Sequence, residues 1–425
     1  MKMKDYYITQ LKIHKVRHLK NITIPVSDAE SACHNLKHLI ITGKNGSGKT
    51  SVLDSISRYL FDICGENQFF KAKKELAKDQ INLQNQMVNG ANADLIHETR
   101  ERMDFWGDLI DKNDSGIDAE FNVNVAELNA AFKDNEFIMA FFGADRAMQA
   151  DVPKHVEKIV LKSTYSIFDT PSKDFIKYLT DKKVSESLYQ TKGEIEKSEQ
   201  IAEWFNGFES ILRKIYEDPY LTLDFDIDTF AFHIHAKDRE QFDFNTMSAG
   251  YAAILEIVVN ILMRMEHQTN GRFAFTMPGI VLIDELETHL HYELQKNVLP
   301  FLCGFFPNIQ FIISTHSAFI LNSISNAVIY DLENQTLVRD GLADYPYEGI
   351  IEGYFDVSTL SDDLQRKFGR YRELVKKDVL TPSERTEIKK LSLYLEEIPD
   401  YLALNITTEY RRLKLEYEQR GDLDG

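Results

Sequence analysis

The stretch Gly43-Lys44-Asn45-Gly46-Ser47-Gly48-Lys49-Thr50 constrains this chain more than any other. It fits GxxxxGK[ST] in full. It follows the short apolar run His38-Leu39-Ile40-Ile41-Thr42, which reads as a strand. It opens the segment Ser51 to Leu60, where Val52, Leu53, Ile56 and Leu60 share one helical face. A strand that feeds glycines and then a helix is a phosphate cradle. Glycines let backbone N–H groups curl round an anion without Cβ clashes, and the helix N-terminus adds partial positive charge. In that geometry Lys49 neutralises the β- and γ-phosphates and the Thr50 hydroxyl binds Mg²⁺. Gly43, Lys44, Asn45, Gly46, Ser47, Gly48, Lys49, Thr50 and Ser51 are therefore the expected nucleotide-binding loop.

Two later segments complete such a site. Ile280-Val281-Leu282-Ile283-Asp284-Glu285 is an apolar strand ending in two acids. Asp284 would hold Mg²⁺, and Glu285 would orient or deprotonate the attacking water. Gln310-Phe311-Ile312-Ile313-Ser314-Thr315-His316-Ser317 is a third strand, and His316 at its end is placed to contact a γ-phosphate.

Around these strands the chain alternates strand and helix, which predicts an α/β fold with a mostly parallel sheet. Residues 1–60 form the first part of the head and 61–118, polar and helical, an insertion. The head continues over 119–171, with strands expected at Ala119–Val125 and Phe137–Gly143. A second helical insertion covers 172–218. Residues 219–342 return to the head, and 343–425 read as charged helices for partner binding or oligomerisation. Thr381-Pro382-Ser383-Glu384 is a capping box with proline at the first helical position. Heptad arms are absent.

Composition removes several classes. The chain has 425 residues, 49 Lys+Arg against 67 Asp+Glu, and a formal net charge of −18. A surface this acidic opposes duplex DNA unless a local patch or a partner supplies cations. No apolar run approaches the ~20 residues of a membrane helix. Cys33, Cys64 and Cys303 lie far apart without a CxxC pair, so a disulfide scaffold and a cysteine zinc site are excluded. A cytoplasmic location is expected.

Met247-Ser248-Ala249-Gly250-Tyr251 lies 36 residues before Asp284. Alone, Ser-x-Gly before an apolar helix is a helix cap. In the order loop, Ser-x-Gly, acid pair, histidine, the set resembles the ABC-type ATPase heads of the SMC/RecF-like branch. Ser248-Ala249-Gly250 matches the signature, with Met247 in place of the usual Leu and Tyr251 in place of Glu or Asp. The resemblance implies ATP and Mg²⁺ as cofactors. It also implies a homodimer with two shared ATP sites, in which Ser248 and Gly250 of one copy meet the γ-phosphate on the other and Glu287 to Leu290 line the seam. Within this branch, Phe242 to Tyr251, Ile283 to His291, Phe306-Pro307-Asn308-Ile309-Gln310-Phe311 and Ser314 to Ser317 are similar to the PtuA-type ATPases of Septu and retron-linked anti-phage defence. That resemblance implies an ATPase that assembles with a separate HNH-type nuclease from an adjacent gene and reaches nucleic acid through the complex.

Further candidates stay open between two readings. Arg17 is either a surface arginine or the basic residue that SMC-like heads place near the nucleotide. Gln149, in Asp145-Arg146-Ala147-Met148-Gln149, is a candidate for the glutamine that senses Mg²⁺. Arg366, Lys367, Arg370, Arg372, Lys376 and Lys377 form either a solvated basic face or a docking face for a partner or DNA. The competing function is a RecF/SMC-like repair ATPase, which lacks support in arms or a basic face. A fused Toprim nuclease and a transporter ATPase fit less well.

Overall fold

The computed structural model describes residues 4–27, 36–65, 68–148, 152–269, 272–273, 275–346, 349–354, 361–398 and 404–419. The chain divides into two compact units, Met1–Tyr345 and Pro346–Gly425.

In the first unit, β1 (Ile8–Val16) turns into β2 (Leu19–Pro25), and β3 (His38–Thr42) leads into α1 (Lys49–Cys64). The helices α2 (Gln68–Val88) and α3 (Ala93–Asn113) precede β4 (Ile117–Phe121), α4 (Val125–Lys133) and β5 (Ile138–Phe142). Next come α5 (Phe175–Lys192), α6 (Ile195–Tyr216), β6 (Thr222–Phe225), β7 (Phe232–His235) and β8 (Phe242–Asp243). The unit continues through α7 (Ala249–Thr269), β9 (Gly279–Ile283), α8 (Tyr292–Phe305), β10 (Ile309–Ser314), the short α9 (Ala318–Leu321), β11 (Ala327–Asp331) and β12 (Thr336–Val338).

The fold is α/β, built on a six-stranded sheet of order β12-β11-β3-β10-β9-β5. Its four pairings from β11 to β5 are parallel, and β12 adds an antiparallel edge. A three-stranded antiparallel sheet, β2-β1-β4, lies over α1. Ile13, Ile22 and Ile117 of that sheet, Val52, Leu53 and Ile56 of α1, and Leu39, Leu282 and Ile312 of the parallel sheet share one core. Gln310, fully buried on β10, ties the layers together. It donates to the Ile8 and Lys37 carbonyls at 3.0 and 2.8 Å and accepts from Ile8 N–H at 2.8 Å.

The strands of the parallel sheet read as continuous apolar runs because both faces are covered, and β3, β9 and β10 are buried at every position. α7 is buried from Ala252 to Glu266, which explains its almost unbroken apolar sequence. One expected strand needs correction. Strand β4 ends at Phe121, and Val125 begins a helix rather than ending a strand. The Asn124 side chain caps that helix by accepting from Glu127 N–H at 2.9 Å, which outweighs the β propensity of Val123 and Val125.

The second unit has its own core. The helices Asp362–Lys376, Pro382–Glu396 and Leu404–Glu418 bury Phe368, Tyr371, Leu374, Ile388, Leu395, Tyr410 and Leu413 together. The capping box at Thr381 and Glu384 is formed.

Candidate nucleotide site

The site is assembled where the parallel strands end, the edge at which open α/β sheets bind ligands. β10 lies between β3 and β9, so the phosphate loop, the histidine strand and the acid-pair strand finish side by side. Main-chain bonds continue past the strand ends. Asp284 N–H donates to Phe142 O at 2.8 Å, Leu286 N–H to Ser314 O at 3.1 Å, Thr315 N–H to Ile41 O at 3.1 Å, and Leu332 N–H to Thr42 O at 2.9 Å.

Gly43, Gly46 and Gly48 all take positive φ, at 133°, 85° and 102°. A Cβ on Gly43 would sit 2.9 Å from the Ser47 hydroxyl and 3.2 Å from the Asp331 carboxylate, so the cradle exists only with glycine there. Lys44, Asn45, Gly46 and Thr50 are exposed; Ser47, Lys49 and Ser51 are buried. The Lys49 ammonium donates to the Gly43 and Lys44 carbonyls at 2.9 and 3.1 Å, which leaves one of its three N–H groups for an anion. Burial lowers the Lys49 pKa, and Glu285, Glu287, Asp284 and Asp331 oppose that shift.

Asp284 is 3% exposed and accepts a short hydrogen bond from the Ser314 hydroxyl. The same hydroxyl accepts from Glu285 N–H at 2.8 Å. Glu285 has φ 46°, a left-handed conformation that is uncommon for a side chain of this kind. The Glu287 carboxylate accepts from His316 N–H. His316 has its pKa lowered from the ordinary histidine value, first by burial and then by the Lys49 charge, both of which favour the neutral ring.

Several buried polar atoms here have no hydrogen-bond partner among the described residues: Thr42 Oγ1, Ser47 Oγ, Glu287 Oε2, His316 Nε2 and Arg146 Nε. Orphaned donors and acceptors of this density mark a place for a polar ligand. They surround the loop whose geometry suits phosphate.

Ser248 is exposed at the start of α7, and Gly250 is buried beside the acid-pair turn. A Cβ on Gly250 would meet the His289 carbonyl at 2.8 Å, so the helix start packs closely on that turn. No hydrogen bond joins Ser248 to the phosphate loop of its own chain among the described residues. Arg17 lies at the exposed β1–β2 turn with φ 52°, and nearby Leu19 would contact a Cβ on Gly48 at 3.0 Å. Gln149 lies outside the described residues.

Two features were not foreseen from the sequence. Arg146, 6% exposed, donates to Gly143 O at 3.0 Å, Asp284 O at 2.7 Å, Glu285 O at 2.8 Å and Leu286 O at 2.9 Å. The turn after β11 also braces the phosphate loop, because Glu333 accepts from Lys44 N–H and ammonium at 3.2 and 2.9 Å. The "Asp-Leu-Glu-Asn" run after a strand offers an Asx turn as its only signal.

The basic face expected near the C-terminus is compensated within its own unit. Arg366 and Lys367 pair with Asp363, Arg370 with Glu387 and Glu373, Arg372 with Glu409, and Lys377 with Glu384.

Residues 110–322 match the family described as AAA domain, putative AbiEii toxin, Type IV TA system. The chain is 23% identical over 408 residues to the Septu protein PtuA of Bacillus mycoides (strain KBAB4), covering 91% of this chain and 50% of that protein. The chain thus spans about half the length of that relative. It is 25% identical over 358 residues to the Retron Vc95 probable ATPase of Vibrio cholerae serotype O1 biovar El Tor, covering 68% of each. Among solved structures, the SMC head bound to the C-winged helix domain of ScpA aligns at 14% identity. That alignment covers 76% of this chain and 94% of the other, with a TM-score of 0.36. No described helix is long and apolar enough to cross a membrane. The family match covers half of the chain and contains the acid pair and the histidine strand: the chain belongs to this AAA-domain family and is similar to the PtuA and retron proteins.

Proposed function

We propose that this chain is the ATP-binding and hydrolysing component of an anti-phage defence complex, one that assembles with a separate HNH-type nuclease and regulates it. The observation that carries the ATPase chemistry is the convergence of phosphate loop, acid pair and histidine on three adjacent strand ends. The defence role is carried by the likeness to the Septu and retron proteins.

In this reading the loop from Gly43 to Ser51 binds the phosphates through its N–H groups and Lys49. Thr50 and Asp284 would hold Mg²⁺, with Gln149 as a further ligand, and the ion would neutralise phosphate charge. The donor set fits, since a hydroxyl and a carboxylate are ligands of a hard cation. Glu285 takes the proton of the attacking water, and His316, neutral, contacts the γ-phosphate. Ser248 and Gly250 act on the nucleotide of a second copy, which agrees with the exposure of Ser248 and with the absence, among the described residues, of a hydrogen bond from it to the phosphate loop of its own chain. The shared sites make the chain a homodimer, with higher assembly through residues 343–425 as a further step. Arg17 approaches the same nucleotide from the β1–β2 turn. The compensated charges near the C-terminus argue against a separate DNA-repair face.

The test is a plasmid-cleavage assay at several ATP concentrations, with this chain alone and with the product of the adjacent reading frame. Cleavage only with the partner, modulated by ATP, is expected. Cleavage by the chain alone would overturn the division of labour.

A further inference from the structure

We infer that Arg146 is a positioning residue for hydrolysis: its buried guanidinium fixes the main-chain turn that presents Glu285. The inference rests on Glu285 being the base, as proposed above.

Arg146 lies on the loop after β5, far in sequence from the acid pair. A buried arginine ordinarily pairs with a carboxylate side chain. Among the described residues, the four hydrogen bonds of Arg146 all go to main-chain carbonyls instead. Three of these belong to consecutive residues, Asp284, Glu285 and Leu286. Only a planar fork of N–H groups can reach so many acceptors from one centre; an ammonium cannot. Burial lowers the guanidinium to about 10, which leaves it charged at neutral pH.

Glu285 needs such support. Its φ of 46° is a conformation that a non-glycine residue adopts only when its surroundings enforce it. Among the described residues its side chain has one hydrogen bond, from the Thr288 hydroxyl at 3.3 Å. What fixes the carboxylate is therefore its peptide: Ser314 accepts its N–H at 2.8 Å and Arg146 donates to its carbonyl at 2.8 Å. Without the cation the three carbonyls lose a shared donor and the turn is free to relax toward negative φ. The base would then move away from the water it must activate, while the phosphate loop, held by β3 and α1, would be unchanged.

Steady-state ATP turnover should be measured for wild type, Arg146→Lys, Arg146→Gln, Arg146→Ala, Glu285→Gln, and Arg146→Gln combined with Glu285→Gln, after thermal melting of each. The Gln and Ala variants are expected to lose about 100-fold in kcat, the scale of a misplaced catalytic group. Their KM for ATP should stay within about threefold, and Lys should be intermediate. In the Glu285→Gln background, removing Arg146 should change kcat by less than about threefold, because both changes remove one function. Additive losses, a rise in KM alone, or wild-type turnover in the Lys and Gln variants would overturn the inference. So would failure of all three Arg146 variants to fold, which would make the residue structural. Wild-type turnover in Glu285→Gln would overturn the base assignment itself, and this inference with it.

Discussion

His38, at the start of the strand that feeds the phosphate loop, carries a pH dependence whose size follows from its surroundings. The ring is 5% exposed, lies against Phe311, and accepts Phe311 N–H on Nδ1 at 3.1 Å. Protonation would turn that acceptor into a donor and bury a charge. Burial accordingly pushes the His38 pKa from 6.5 down to about 4. The unfolded chain binds this proton more readily than the folded one. Stability from the neutral ring is therefore fully present above pH 6.5 and is lost as pH falls toward 4. Each pH unit of the gap is worth 1.36 kcal/mol, so about 2 kcal/mol is lost at pH 5 and about 3 kcal/mol at pH 4 or below. The assay is urea unfolding at pH 7.5 and pH 5 for wild type and His38→Asn, whose amide oxygen keeps an acceptor near Nδ1 without titrating. Between those pH values, wild type should lose about 2 kcal/mol more than the variant. Equal losses in the two proteins would mean that His38 is not the group responsible.

Other predictions follow from the site and the second unit. Lys49→Ala removes the buried ammonium, and charge-assisted bonds of ~1.5–3 kcal/mol each should cost ATP affinity roughly 100-fold or more, read by titration of a fluorescent ATP analogue. Gly43→Ala should abolish ATP binding in the same titration while the chain stays folded by circular dichroism, because its Cβ would fill the cradle beside Ser47 and Asp331. Reversing Arg366, Arg370 and Arg372 to Glu should lower the melting temperature, since each is paired with a carboxylate, and should leave DNA retention unchanged.

The phosphate loop, the acid pair and the Ser-x-Gly turn were legible because each is a local pattern with a physical cause: glycines where φ is positive, acids where an apolar strand ends, a small residue at a helix start. The strand order was not, because placing β10 between β3 and β9 depends on long-range packing that periodicity does not encode. The role of Arg146 is hidden for the same reason. Nothing in Gly143-Ala144-Asp145-Arg146 shows that its guanidinium reaches carbonyls about 140 residues away. The basic helix near the C-terminus was ambiguous because its compensating acids, Glu387 and Glu409, come from the two following helices. The strand expected to reach Val125 overran because the Asn124 cap was read as part of a β run.

In the proposed function Glu285 is the base and the nucleotide is shared between two copies. Light scattering of Glu285→Gln with ATP and Mg²⁺, alongside its turnover rate, tests both halves at once. A stable dimer that hydrolyses ATP far more slowly than wild type is expected, with no such dimer for Lys49→Ala. Wild-type turnover in Glu285→Gln, with no ATP-dependent change in mass, would contradict it.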